Sequence, residues 1–339
     1  MSTQNVSYWS TAVMLITRTL PYIGVNVAVY TTFFVVALLW FGIFAGLAFV
    51  TGVLLKIPVL PFILVFIGLA LFGGLSKWAQ RYLLYMVKGA HIAAMTELLK
   101  GGKLPDGMGQ FKYGQQIIKE NFKDVSMLFA LDTLVTGALK ALQRKALRIT
   151  SWLPLPGSAR NLVNIITQIL TRSLTYVDEA ILSYAIYRGE KNVWNSARHG
   201  VLLYAQCYKP ILITAAKTWV LGKVLGFVLF LVFLVPAGII GATLGSTEVG
   251  TVLTVLAVII AAIASWAIKA TFFEPFAMAY TLTTYHYEIV GITPDPTWDA
   301  RIRKISSKFT ELIGKAEENA SEQPQLAFQP APAPRPHAG

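Results

Sequence analysis

Residues Thr19–Leu55 read TLPYIGVNVAVYTTFFVVALLWFGIFAGLAFVTGVLL, 37 positions without one Asp, Glu, Lys or Arg. A helix rises ~1.5 Å per residue, so roughly 20 apolar residues cross a ~30 Å hydrocarbon layer. Three more charge-free runs follow: Ile57–Ser76, Val224–Thr247 and Val249–Ile268, of 20, 24 and 20 residues. They form two pairs, one on each side of a basic middle. The expected class is all-α, a polytopic helical membrane protein with four transmembrane helices and added amphipathic helices. The count becomes six if the stretch 125–187 also enters the membrane.

Composition agrees. Of the 339 residues, 55% are hydrophobic and 14% charged, and the mean hydropathy is +0.57. Soluble domains carry nearer a quarter charged residues. The formal charge of +12 therefore reads as membrane topology and contact with anionic headgroups, and no nucleic-acid-binding signature accompanies it. Cys207 is the one cysteine, which excludes an internal disulfide and a cysteine metal cluster. No nucleophile–base pair, glycine cradle or His/Cys cluster stands out, so neither an enzyme nor a cofactor is expected.

Charge sets the expected orientation. Residues 77–223 hold 20 of the 29 Lys+Arg, whereas the two hairpin turns hold only Lys56 and Glu248. Cations near span ends stay on the cytoplasmic side. The middle and both termini are thus expected inside, in a plasma-membrane protein. The chain divides on paper into a hairpin (1–76), a basic amphipathic region (77–223), a second hairpin (224–293), an amphipathic helix (294–320) and a Pro/Ala-rich disordered tail (321–339). The amphipathic helix is read from Trp298, Ile302, Ile305, Phe309 and Leu312, spaced by three or four. Gly42–Gly46, Gly222–Gly226 and Gly241–Gly245 are small-residue pairs that let helices approach, within the chain or between copies. Pro236 is a candidate kink.

The best candidate site lies in a helix expected over about Ala159–Tyr187. Asn161, Asn164, Gln168, Arg172, Thr175, Glu179 and Ser183 recur at gaps of three and four, on one face. In one reading this seam faces water or a neighbouring helix. In the other it lines a pathway, because ionisable groups at membrane depth usually face partners or a cavity. Tyr176, Tyr184, Tyr187, Trp194 and Tyr204 cluster nearby, and aromatic faces beside a carboxylate suit an organic cation. The pathway set is Asp132, Gln168, Arg172, Tyr176, Glu179, Ser183, Tyr187, Trp194 and Glu274. Lys77, Arg81 and Lys88 fall on one face of the following juxtamembrane helix and are expected to meet lipid headgroups.

Ala185–Arg198 reads AIYRGEKNVWNSAR. It resembles a stretch near the C-terminal end of the choline transporter-like family (solute carrier family 44), through Ala185, Ile186, Tyr187, Gly189, Trp194, Ser196, Ala197 and Arg198. Gly222-Lys223 opens an apolar span as a Gly-Lys pair does there. The resemblance covers at most Leu104–Ala316. The chain is shorter than that family and lacks its cysteine-bearing outer domain. What the resemblance implies is a transporter-like membrane domain with 125–187 inside the membrane. Two functions are therefore carried forward: a transporter or permease for a small solute, with an organic cation the fitting class, and a membrane scaffold or accessory subunit acting through a protein partner or a second copy.

Overall fold

The computed structural model describes residues 7–57, 59–79, 85–107, 109–122, 125–151, 174, 176–245 and 247–321. Arg81, Gln168, Arg172, the seam residues Asn161, Asn164 and Thr175, and the Pro/Ala tail lie outside them. The described residues are helical, with no strand among them. In order they form α1 (Tyr8–Arg18), α2 (Leu20–Phe49), α3 (Leu60–Ala79), α4 (Tyr85–Leu99), α5 (Gly109–Phe122), α6 (Val125–Ser151), α7 (176–188), α8 (Val193–Leu244), α9 (Glu248–Ile268), α10 (Glu274–Glu288), α11 (Pro296–Arg303) and α12 (Ser307–Ser321).

Three helical stretches are long and apolar enough to cross a membrane: Leu20–Leu54, Val193–Leu244 and Gly250–Glu288. A fourth apolar helix, Leu60–Ser76, is shorter. The first and third run on through π-helical turns, at Val50–Leu54 and Lys269–Phe273. The second of these turns has a local cause. Pro275 has no N–H to donate to the carbonyl four residues back, so the ladder widens there.

The chain folds into two compact units, each built from separated segments. The apolar unit comprises Ile23–Val87 and Leu221–Pro275. Its small core is Ala37, Phe41 and Leu256, packed by Trp40, Phe72 and Val252. Trp40 Nε1 donates to the Gly68 carbonyl at 3.0 Å, and Ser265 Oγ donates to the Gly226 carbonyl at 2.7 Å. Around that core the surface is hydrocarbon. Phe66 is 72% exposed and Leu39 65%, and Phe227, Val232, Val235 and Ile239 are equally bare. Such a surface is compatible with a membrane protein, because monomeric soluble proteins rarely expose continuous apolar patches of this kind.

The bundle unit comprises Met1–Tyr22, Lys88–Val220 and Phe276–Gly339. It buries Ile92, Met95, Leu98, Ile118, Phe122 and Leu128 and turns Lys112, Lys119, Glu120, Lys140 and Arg144 outward. α12 lies along α6 and sinks Phe309, Leu312 and Ile313. The single amphipathic helix expected over 294–320 is two helices. Ser306 Oγ accepts the Phe309 N–H at 3.1 Å, and this new N-cap ends one helix and starts the next. α11 starts the same way: Asp295 accepts from Thr297 N, with Pro296 in the first turn.

The expected kink at Pro236 is not where α8 breaks. The non-helical residue is Cys207, at φ −113° and ψ 23°. It lies three residues before Pro210, whose ring crowds the turn preceding it. The Gln206 side chain donates to the Thr293 carbonyl at 3.0 Å beside the break.

Candidate functional site

α4 and α7 build the polar heart of the bundle unit. Lys88 pairs with Glu179, Thr96 with Ser183, and Lys100 with the Ile186 carbonyl (3.1 Å) and the Tyr187 ring (5.8 Å). The partners advance together along both sequences, so the two helices run side by side in one direction. The three- and four-residue spacing that put Glu179 and Ser183 on one face is thus the face that meets α4.

Lys88 sits among three carboxylates. Glu179 contacts it directly, and Asp178 and Asp132 lie within electrostatic reach. Asp178 accepts from Thr136 Oγ1 at 2.8 Å and from the Glu179 N–H at 2.8 Å. Burial pulls the Lys88 ammonium toward its neutral form, but Glu179, Asp178 and Asp132 outweigh it and its pKa ends above the usual lysine value. Burial, then Asp132 and Glu179, pushes Asp178 well above the carboxylate range, against the pull of Lys88 and Thr136. One lysine thus faces three carboxylates, Glu179 in direct contact and Asp178 and Asp132 farther off.

Ser183 links to His286 Nε2 at 2.8 Å and to Thr96 Oγ1 at 2.7 Å, with all three side chains buried. Proton counting decides the direction. Thr96 donates its only proton to the Ile92 carbonyl at 2.7 Å. Ser183 must then donate to Thr96, and His286 Nε2–H donates to Ser183. The histidine is a donor here, so the pair is not a serine activated by a base. A second histidine is held in the same way. His91 Nε2 lies 2.9 Å from Thr19 Oγ1, and Thr19 donates to the Leu15 carbonyl at 2.7 Å. The His91 ring stacks flat on Tyr22 at 4.6 Å, and burial pushes its pKa down to about 3. Tyr22 in turn donates to the Gln110 carbonyl at 2.7 Å.

The remaining predicted residues are dispersed. Tyr176 is buried in α7. Asp132 is on α6, half-buried. Trp194 is buried on α8, with the Lys315 ammonium 5.3 Å from its ring. Glu274 belongs to the apolar unit and pairs with Lys269. Lys77 lies in the last turn of α3, and Lys88 faces carboxylates as described. The faces of Tyr187 and Trp194, expected to suit an organic cation, carry this chain's own lysines. Sequence spacing missed Asp178, Thr96, Thr19, His91 and His286. Lys88, Thr96 and Lys100 do recur at multiples of four, a signal hidden by grouping Lys88 with Lys77 and Arg81. Among the described residues no three His, Cys, Asp or Glu side chains gather as a metal site. No family model, curated protein or solved structure matches the chain.

Proposed function

We propose that the chain is a membrane scaffold or accessory subunit, held in lipid by its apolar hairpins and presenting a basic helical bundle. One observation carries this reading: Glu179, Ser183 and the rings of Tyr187 and Trp194 all meet the chain's own groups. Glu179 holds Lys88, Ser183 bridges Thr96 and His286, Tyr187 meets Lys100, and Trp194 meets Lys315. Exposed Lys112, Lys119, Arg144, Arg301 and Lys304 suit anionic headgroups or an acidic partner. In this proposal both hairpins cross the plasma membrane, making four spans, with the bundle and both termini cytoplasmic. Extraction from native membranes in mild detergent, followed by native mass spectrometry, should yield a stoichiometric complex. A lone chain that moves solute in proteoliposomes would overturn the proposal.

One observation favours a transporter instead. Three carboxylates gather around Lys88, an arrangement suited to exchanging a proton in coupled transport, and the choline transporter-like resemblance points the same way. On that reading Glu179→Gln or Arg172→Ala abolishes uptake at unchanged protein level.

A further inference from the structure

The apolar unit contains a cavity of about 280 Å³ lined by Ala45, Ala48, Phe49, Val53, Phe62 and Val252, with Gly52, Pro61, Thr251 and Leu253 closing it. It lies where the end of α2, the π-helical turn, the start of α3 and the start of α9 meet. Its floor is Ala48, 2% exposed, and its rim is open: Phe49 and Phe62 are 46% and 55% exposed. The hydroxyl in the lining, Thr251, already donates to the Thr247 carbonyl at 3.1 Å. A polar solute would lose its hydration there with nothing in return, so the lining suits hydrocarbon. The volume falls just below the roughly 300–1,000 Å³ of drug-sized ligand pockets, which favours a linear chain over a ring system.

A charged residue lies between two lining segments in the chain. Lys56 lies three residues beyond Val53 and five before Pro61, both lining residues. It is the only charged residue between Arg18 and Lys77. It is exposed, and it takes a left-handed conformation (φ 54°) as the chain closes its turn, with the Ile57 N–H donating to the Thr51 carbonyl at 3.0 Å. The sequence neighbours Leu54, Leu55 and Val59 are 64%, 58% and 63% exposed, so this cation sits in an exposed apolar turn. We infer that the cavity is a phospholipid site, holding one acyl chain against Ala48 and Val252 with the lipid phosphate on Lys56.

The inference rests on membrane embedding, and its test reports embedding separately. The full chain is placed in nanodiscs of phosphatidylglycerol and phosphatidylcholine with a phospholipid probe bearing a diazirine in its acyl chain. Crosslinked peptides are then mapped. Labelling should concentrate on 45–62 and 251–253 above the general lipid-facing level on 228–239. Val53→Trp, which lays an indole over the opening, should bring the first two down to that level and leave 228–239 unchanged. Ala45→Leu serves if that variant does not fold. A basic residue near anionic lipid is worth about 1 kcal/mol, so Lys56→Gln should cut cavity labelling about fivefold. A diacylglycerol probe without phosphate should show no such drop. Even labelling over all lipid-facing peptides, or a Val53→Trp protein labelled like the parent, overturns the lipid site. Loss of labelling on 228–239 as well overturns the membrane reading itself.

Discussion

Glu179 shows how a side chain can be placed by sequence and still be misjudged. Its spacing puts it on a polar face, but its partner Lys88 is 91 positions earlier and falls by spacing with the cations expected at headgroups. Removing that partner leaves a buried carboxylate uncompensated. Lys88→Met should cost about 1–3 kcal/mol, and Lys88→Met with Glu179→Leu should cost less than the single change, since the second change removes the carboxylate that Lys88 contacts and leaves only the more distant Asp178 and Asp132. Thermal melts of the four-protein cycle in detergent decide it. The buried histidine gives a pH signature. The neutral His91 ring is held from the ordinary value of 6.5 down to about 3. Its contribution is fully present above the unfolded pKa and is lost as pH falls through this window, at up to about 1.4 kcal/mol per pH unit. His91→Phe keeps a ring on Tyr22 and costs about 1 kcal/mol at neutral pH for the lost hydrogen bond. It should become the more stable protein below about pH 5.5, as read from melts across pH. Such partners were illegible in the sequence because Ser183 and His286 are 103 positions apart, and no local period encodes that distance.

Helices were far easier to read than their contacts. The charge-free runs located α2, α3, the second half of α8 and α9, because a helix apolar on every side appears in the sequence as one uninterrupted run. Helix ends were less legible. Ser306 and Thr247 act through single side-chain oxygens, and one cap divided what periodicity had joined. The small-residue pairs also separate once neighbours are known. A Cβ on Gly222 would lie 2.6 Å from the Phe273 ring, whereas Gly42 and Gly46 face open space. Gly222→Leu should therefore lower the melting temperature in detergent, by about 1–3 kcal/mol of overpacking. Gly42→Leu should leave the isolated chain's melting unchanged. Should Gly42→Leu disrupt an oligomer seen by light scattering, that open face is where copies meet.

At the scale of the molecule, the separation of apolar from polar surface is the testable feature. With Cys207 replaced by alanine, single cysteines at Lys112, Lys140 and Lys308 should react with a membrane-impermeant maleimide in opened vesicles. Cysteines at Leu39, Phe66 and Val232 should stay protected until detergent is added. Reaction at all six positions would contradict a lipid-covered apolar unit. Composition made this division visible in outline, but the segments that join each unit were hidden. Tyr8 donates to Glu288 at 3.0 Å, and Trp9 packs on Phe276 at 4.6 Å, tying the two ends of the chain into one bundle. The backbone passes between the units after Tyr22, Val87, Val220 and Pro275. During synthesis, therefore, neither half can finish as the ribosome advances. The segment Ile23–Val87 must wait for α9 before its core can close, and α1 must wait for α10, so both units stay incomplete until the last helices emerge.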